Sequence, residues 1–254
     1  MLNHRRFHVA LMCAALFATL ACKKDNPAPN ARGTPPTTPA RDGARAAEGG
    51  DILIGEFGSM TGSTATFGEM THKGIELAIE QVNAAGGLLG RKVRILLEDD
   101  QSETPQAVSA VKKLIHQDKV VAVLGEVASK RSIAAAPIAQ RAKVPMVSPS
   151  WTNPELTEKG DYIFRVCFID PFQGTVMAKF ARNTLKFDKV AVLRDVKNDY
   201  SVGLANFFTE QWKALGGTIT LDKSYSEGDK DFNAQLTAIK ATGPQGIFVP
   251  GYYT

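Results

Sequence analysis

Two places in the sequence bring potentially reactive side chains together. Asp99 and Asp100 are neighbouring carboxylates, and Ser59 lies in the turn-like run Gly58-Ser59-Met60-Thr61-Gly62. Paired carboxylates can divide acid and base work between them, and a serine on a sharp glycine turn can act as a nucleophile. Neither arrangement meets its requirement. Adjacent residues on a strand point to opposite faces, so the two aspartates do not make a dyad. In GSMTG the serine stands one place too early for the G-x-S-x-G elbow. The chain holds no phosphate loop, no GxGxxG, no CxxC and no HExxH, and its four histidines are scattered. The residues therefore predict a non-enzymatic protein with no cofactor and no metal.

Any site must instead be built by the elements, which apolar periodicity outlines. Strand-like segments lie near 52–57 (ILIGEF), 92–98 (KVRILLE), 120–124 (VVAVL) and 145–148 (PMVS), with helical stretches between them. In the first helix Ile75, Ala78, Ile79 and Val82 recur at helical spacing, and Gly86-Gly87 ends it. In the second, Thr104-Pro105 opens the helix, and Val108, Val111, Leu114 and Ile115 form its inner face. The pattern resumes after an irregular stretch at 149–161, with strands near 189–193, 218–224 and 246–249 and helices near 171–185, 200–215 and 231–242. Strands that are nearly all apolar fit parallel sheets covered by helices on both faces. The expected architecture is two α/β lobes, residues 51–170 and 171–254. The chain stops at Thr254 just after a strand, so the second lobe is expected to be incomplete and the chain a fragment.

The amino end reads differently. Arg5 and Arg6 precede an apolar run from Val9 to Ala21, then come Cys22, Lys23 and Lys24. A charged start, a short apolar core and a small residue before the cut mark residues 1–22 as a secretory signal. The run is shorter than the roughly 20 residues a membrane span needs. Thr19-Leu20-Ala21-Cys22 resembles the bacterial lipobox, which would make Cys22 a lipidation site; cleavage to a soluble secreted protein is the alternative. Residues 23–50, rich in Pro, Ala, Gly and Arg and without Val, Ile, Leu or aromatic residues, read as a disordered tether.

Charge and cysteine content narrow the function classes. The chain has 30 Lys and Arg against 26 Asp and Glu, and residues 1–50 carry seven positive and three negative charges, which is the whole excess of four. Residues 51–254 are thus neutral overall, and no nucleic-acid role is expected. Cys13 lies within the signal, Cys22 at its end, and Cys167, in the strand-like YIFRVCF, is expected to be a small buried apolar residue.

Several segments in order carry a resemblance: GEFGSMTGSTATFGEMTHKGIELAIEQVNAAGGLLGRKVRILL, then EDDQSETPQAVSAVKKLI, AAAPIAQRAKVPMVSPSWTNPELT, DYIFRV and DYSVGLANFF. This is similar to the leucine/isoleucine/valine-binding protein family of periplasmic receptors, across essentially all of residues 51–254. The resemblance implies the type I periplasmic-binding-protein fold, with two doubly wound lobes closing on a ligand in the interlobe cleft. It also implies a longer chain, whose returning part carries an acidic residue for the ligand's amino group.

The same resemblance assigns the candidate ligand-binding residues. Ser129 follows VVAVLG and opens a helix facing the cleft, where free N–H groups and the helix dipole favour a carboxylate. A plain helix cap is its ordinary alternative. Ser150, Trp151 and Thr152, in SPSWTNPELT, fall on the family's second ligand loop, with Trp151 replacing a small residue or else packing beneath the loop. Phe67 falls where an aromatic meets the ligand side chain, and Tyr200 and Tyr252 match tyrosines that close from the second lobe, core, hinge or surface packing being the alternative for each. A disulfide found in some relatives is precluded by Ser102 and Ala128, and the basic pair Lys130-Arg131 would favour an acidic ligand unless it is solvated.

The function implied is capture of a branched-chain or similar amino acid and its delivery to an ABC permease, by a monomer in the periplasm or cell envelope held by a lipid anchor. Alternatives are a ligand-sensing receptor domain, or a receptor for an amide, urea or aromatic acid.

Overall fold

The computed structural model describes residues 49–252. The expected signal, the tether up to residue 48 and Cys22 lie outside the described residues. The first sheet is built from β1 (Ile52–Gly58), β2 (Val93–Asp99), β3 (Ala122–Leu124), β4 (Met146–Ser148) and β5 (Ile163–Arg165). Its order is β2-β1-β3-β4-β5 and every pairing is parallel. The second sheet, β6 (Lys189–Asp195), β7 (Thr218–Tyr225) and β8 (Gly246–Phe248), has the order β7-β6-β8 and is also parallel.

Parallel neighbours need crossover helices, and right-handed crossovers decide which face each helix covers. In the first lobe the chain steps one way from β1 to β2 and the other way from β2 onward. That reversal puts α1 (Ala65–Ala84) on one face and α2 (Thr104–His116) and α3 (Ser129–Ala142) on the other. The core gathers on the α2–α3 side, where Val111, Leu114, Ala135 and Ala139 meet Phe57, Val123 and Met146. The inner face expected for α2 is present, with Val111, Leu114 and Ile115 buried and Val108 partly so. The α1 face is looser: Ile75, Ile79 and Val82 are only partly covered and Ala78 is exposed. Gly68 is the one buried residue of α1, and a Cβ there would sit 2.0 Å from the Ser59 carbonyl oxygen. The helix start can approach β1 that closely only with glycine at this position.

The second lobe repeats the scheme. Here α4 (Asp170–Lys179), continued by a π-type turn to Thr184, packs with α5 (Asp199–Ala214) against one face, and α6 (Asn233–Ala241) takes the other. Alternation along β6 feeds both cores: Val190 and Val192 meet Ala205, Phe208 and Trp212, while Ala191 and Leu193 meet Ile239. The stretch expected to be irregular holds a short 3-10 turn, Pro154–Lys159, opened by Asn153, whose side chain accepts from the Glu155 amide. Each lobe thus has a point where strand order reverses, between β1 and β3 and between β6 and β8. Ligands of open parallel sheets settle beyond the carboxyl ends of strands at such points.

Candidate functional site

At those carboxyl ends lies a cavity of about 530 Å³ with walls from both lobes. The first lobe contributes Phe67 from the opening turn of α1, Ser129 from the start of α3, and Ser150 and Thr152 from the loop after β4. Tyr200, in the first turn of α5, and Tyr252, just after β8, come from the second. Six of the seven ligand-contact candidates therefore share one space.

Trp151 does not join them. Its side chain is fully buried in the first lobe's core, with the Arg165 guanidinium 5.9 Å from the ring centroid. The loop is anchored beside it: Ser148 Oγ accepts from the Trp151 amide at 3.0 Å, and the Cys167 thiol donates to its carbonyl at 3.0 Å. With Ser150 exposed and Thr152 at the cavity, the indole of the intervening residue goes inward as a wedge. The expectation that Trp151 reshapes the pocket directly gives way to packing. Cys167 itself is half-buried rather than a core residue.

The polar end of the cavity is the start of α3. The residue preceding the helix is Ala128, whose side chain cannot cap the helix start. Ser129 is therefore the first residue of α3 and not its cap. Uncapped N–H groups at a helix start suit an anion, through donor geometry and dipole alike. Tyr252's phenol oxygen faces the Ser129 amide; burial, with Glu126 nearby, pushes its pKa well above the usual tyrosine range. Three aromatic rings form another part of the wall. Tyr200 stacks on Tyr252 with centroids 5.4 Å apart, and Phe67 meets Tyr252 edge-on at 5.6 Å. Gln173 donates to the Tyr200 hydroxyl at 3.3 Å and lines the cavity too.

Among the described residues, no charged side chain lines this space. The basic pair beside Ser129 separates: Lys130 is exposed, whereas Arg131 is buried beneath the site. Arg131 donates to Glu126 at 2.8 Å, to the Thr64 hydroxyl at 2.6 Å and to the Ser102 carbonyl at 3.1 Å. It is neither solvated nor free to attract an acidic ligand, because the protein's own carboxylates hold it. The adjacent aspartates also part, as strand geometry requires. Asp99 accepts from Met60, Thr61 and Gln101. Burial opposes its ionisation, but those hydrogen bonds outweigh it and hold the carboxyl below the usual range. Asp100 turns inward to Ser59, which donates to it at 2.6 Å.

Sequence reasoning missed Met70, Thr71, Val127, Phe168 and Gln173, all on the cavity wall. Spacing could have found the first two, since Phe67, Met70 and Thr71 share one helix face at i, i+3 and i+4. Val127 and Phe168 are ordinary apolar residues with no local signal. Among the described residues, no group of three or more His, Cys, Asp and Glu could hold a metal ion.

The periplasmic binding protein family model matches residues 51–252. The chain is similar to an amino acid binding protein of Pseudomonas aeruginosa, 39% identical over 204 residues, which is 80% of this chain and 54% of that one. Its fold is similar to a leucine binding protein of Thermotoga maritima, with a TM-score of 0.76, 43% identity, 80% of this chain covered and 57% of the other. It is also similar to a branched-chain amino acid transporter substrate binding protein of Streptococcus pneumoniae in complex with isoleucine, with a TM-score of 0.75, 39% identity, and 80% and 57% covered. The chain thus spans about half the length of the relatives it matches.

Proposed function

The chain belongs to the periplasmic binding protein family, and on that premise we propose that it captures an amino acid between its lobes and delivers it to an ABC permease. The observation that carries this reading is the start of α3, which its preceding residue Ala128 does not cap, at one end of an aromatic-walled cavity that no charged side chain lines among the described residues. A ligand carboxylate docks on the Ser129 amide and hydroxyl, with Ser150 and Thr152 beside it. An uncharged side chain of the size of leucine, isoleucine or valine lies against Phe67, Tyr200 and Tyr252. Acidic or basic side chains are disfavoured, because a charge placed there would lose water without gaining a partner. Closure of the second lobe then presents a surface to the permease. Export follows from residues 1–22, and Cys22 carries the lipid.

Calorimetric titration of the full chain with leucine, isoleucine, valine, glutamate and lysine tests the binding role. Binding of the three branched-chain amino acids, with glutamate and lysine silent, is expected. Heat from glutamate or lysine alone, or from none of the five, would sink the reading. Incorporation of labelled fatty acid in a bacterial host, lost in Cys22→Ser, tests the anchor separately.

A further inference from the structure

Beneath the α3 start, two buried carboxylates face a single guanidinium. Glu126 follows β3, Asp100 follows β2 and Arg131 lies on α3, each almost wholly buried. Arg131 Nε is 3.7 Å from Asp100 Oδ2, and Arg131 bonds Glu126 at 2.8 Å. Ser59, after β1, touches both acids: its Oγ lies 2.6 Å from Asp100 Oδ1 and 3.1 Å from Glu126 Oε1. Thr64, before α1, stands 3.0 Å from the same Oγ. Tyr252, after β8, is the remaining titratable group among the described residues that interacts with Glu126.

A hydroxyl has one proton to donate. Thr64 donates to the Ser59 oxygen, and Ser59 can donate to only one of the two acids at a time. The shorter contact favours Asp100 as the acceptor, and a proton held on Glu126 then makes the 3.1 Å contact a hydrogen bond as well. Charge agrees with geometry, since two ionised acids against one Arg would leave an uncompensated buried negative charge.

We propose that Glu126 stores a proton and that its ionisation is coupled to the occupant of the α3 start. The linkage is local. The other Glu126 oxygen accepts from the Ala128 amide, one residue before Ser129. An ionised Glu126 puts negative charge behind the N–H groups that a ligand carboxylate would use, and a neutral one does not. Burial pushes Glu126 up to about 7, against the pull of Arg131, and Asp100 adds to the rise. An anion at Ser129 raises it further, so binding takes up a proton, and affinity for a carboxylate ligand falls by up to about tenfold per pH unit above that midpoint. The ligand half of this linkage rests on the proposed function; the stored proton does not.

Carbon-13 NMR of the full chain labelled at the glutamate carboxyl, titrated without ligand from pH 4.5 to 8.5, decides the first half. A carboxyl signal with a midpoint near neutrality, absent in Glu126→Gln and followed by the Ser129 and Ala128 amides, is the expected result. A midpoint in the ordinary glutamate range, or amides that do not follow it, overturns the proposal. Calorimetry with leucine in phosphate and in Tris at pH 7.5 decides the second half. Proton uptake in the wild type and none in Glu126→Gln supports the coupling, and leucine binding without proton uptake overturns it. If leucine does not bind at any pH, the proposed ligand fails, and the NMR midpoint still rules on the stored proton.

Discussion

Tyr200 and Tyr252 stack nearly parallel, with 16° between their planes, although one opens α5 and the other follows β8. The pair brings two segments of the second lobe to one spot, and Phe67 of the first lobe meets Tyr252 from the other side. Tyr252 is thus the middle ring of a wall shared by both lobes. Aromatic pairs contribute about 0.5–1.5 kcal/mol each beyond area burial. Tyr252→Ala, which loses two such contacts, should weaken leucine binding by about tenfold or more in calorimetry. Tyr252→Phe, which keeps both, should stay within about threefold of the wild type.

The polar end separates from that wall by substitution. Ser129→Ala and Thr152→Ala each remove one neutral hydroxyl and leave the backbone amides in place, although the Thr152 hydroxyl also serves the buried Asp170 carboxyl. A net hydrogen bond contributes about 1 kcal/mol, so each variant should lose roughly fivefold in leucine affinity. Thr152 also accepts from the Asp170 amide through its carbonyl at 2.9 Å, an anchor the substitution preserves. Unchanged affinity in both variants would move the carboxylate away from α3.

Much of this was legible because it is local. Strand and helix positions came from periodicity, and Ser129, Tyr200 and Tyr252 stand directly after or at element ends, where short-range patterns speak. What escaped was set by distant partners. Arg131 looks like surface charge in sequence, and only the fold brings Asp100, thirty-one residues earlier, and Glu126 against it. Trp151 could not be oriented from its neighbours, since inward or outward depends on room beneath the loop. Neither Met70 nor Gln173 has a residue type that announces a pocket.

Trp151 itself yields a test. A fully buried indole replaced by alanine leaves a cavity, and such truncations cost about 3–5 kcal/mol. Trp151→Ala should therefore lower stability by that order in urea unfolding. Trp151→Phe, which refills most of the space, should retain leucine affinity. A large affinity loss in Trp151→Phe with stability intact would return the side chain to the ligand.

Two buried acids set the pH response of folding. Burial pushes Glu126 up to about 7, and pushes Asp170 up to about 6 against the Thr152 hydroxyl and the Arg165 charge. An unfolded chain releases these protons near pH 4. Between pH 4 and each raised value the folded protein holds a proton that the unfolded chain has lost. Stability from these groups is thus complete below about pH 4 and declines as pH rises through 6 and 7. The decline is about 3 kcal/mol for each group, counted at 1.4 kcal/mol per unit. Urea unfolding from pH 4.5 to 8 should show it, with Glu126→Gln removing the decline above pH 6 and about halving it below, and Asp170→Asn about halving it below pH 6 alone. A profile unchanged by either substitution would show that neither acid holds its proton.

On the looser face of the first sheet, Glu56 of β1 is buried and meets His72 of α1 at 2.8 Å, with Glu76 on the ring's other nitrogen at 3.3 Å. Burial raises Glu56, while the His72 hydrogen bond and charge offset it. Few apolar contacts hold α1 here, so this pair does much to fasten the helix to the sheet. Removing one partner strands the other: His72→Ala should cost about 1–3 kcal/mol, whereas Glu56→Leu combined with His72→Leu should be nearly neutral. Neither residue lines the cavity, so leucine affinity should not change in the variants that fold. Equal losses in the single and the double variant would mean that the pair matters through packing and not through the buried carboxyl.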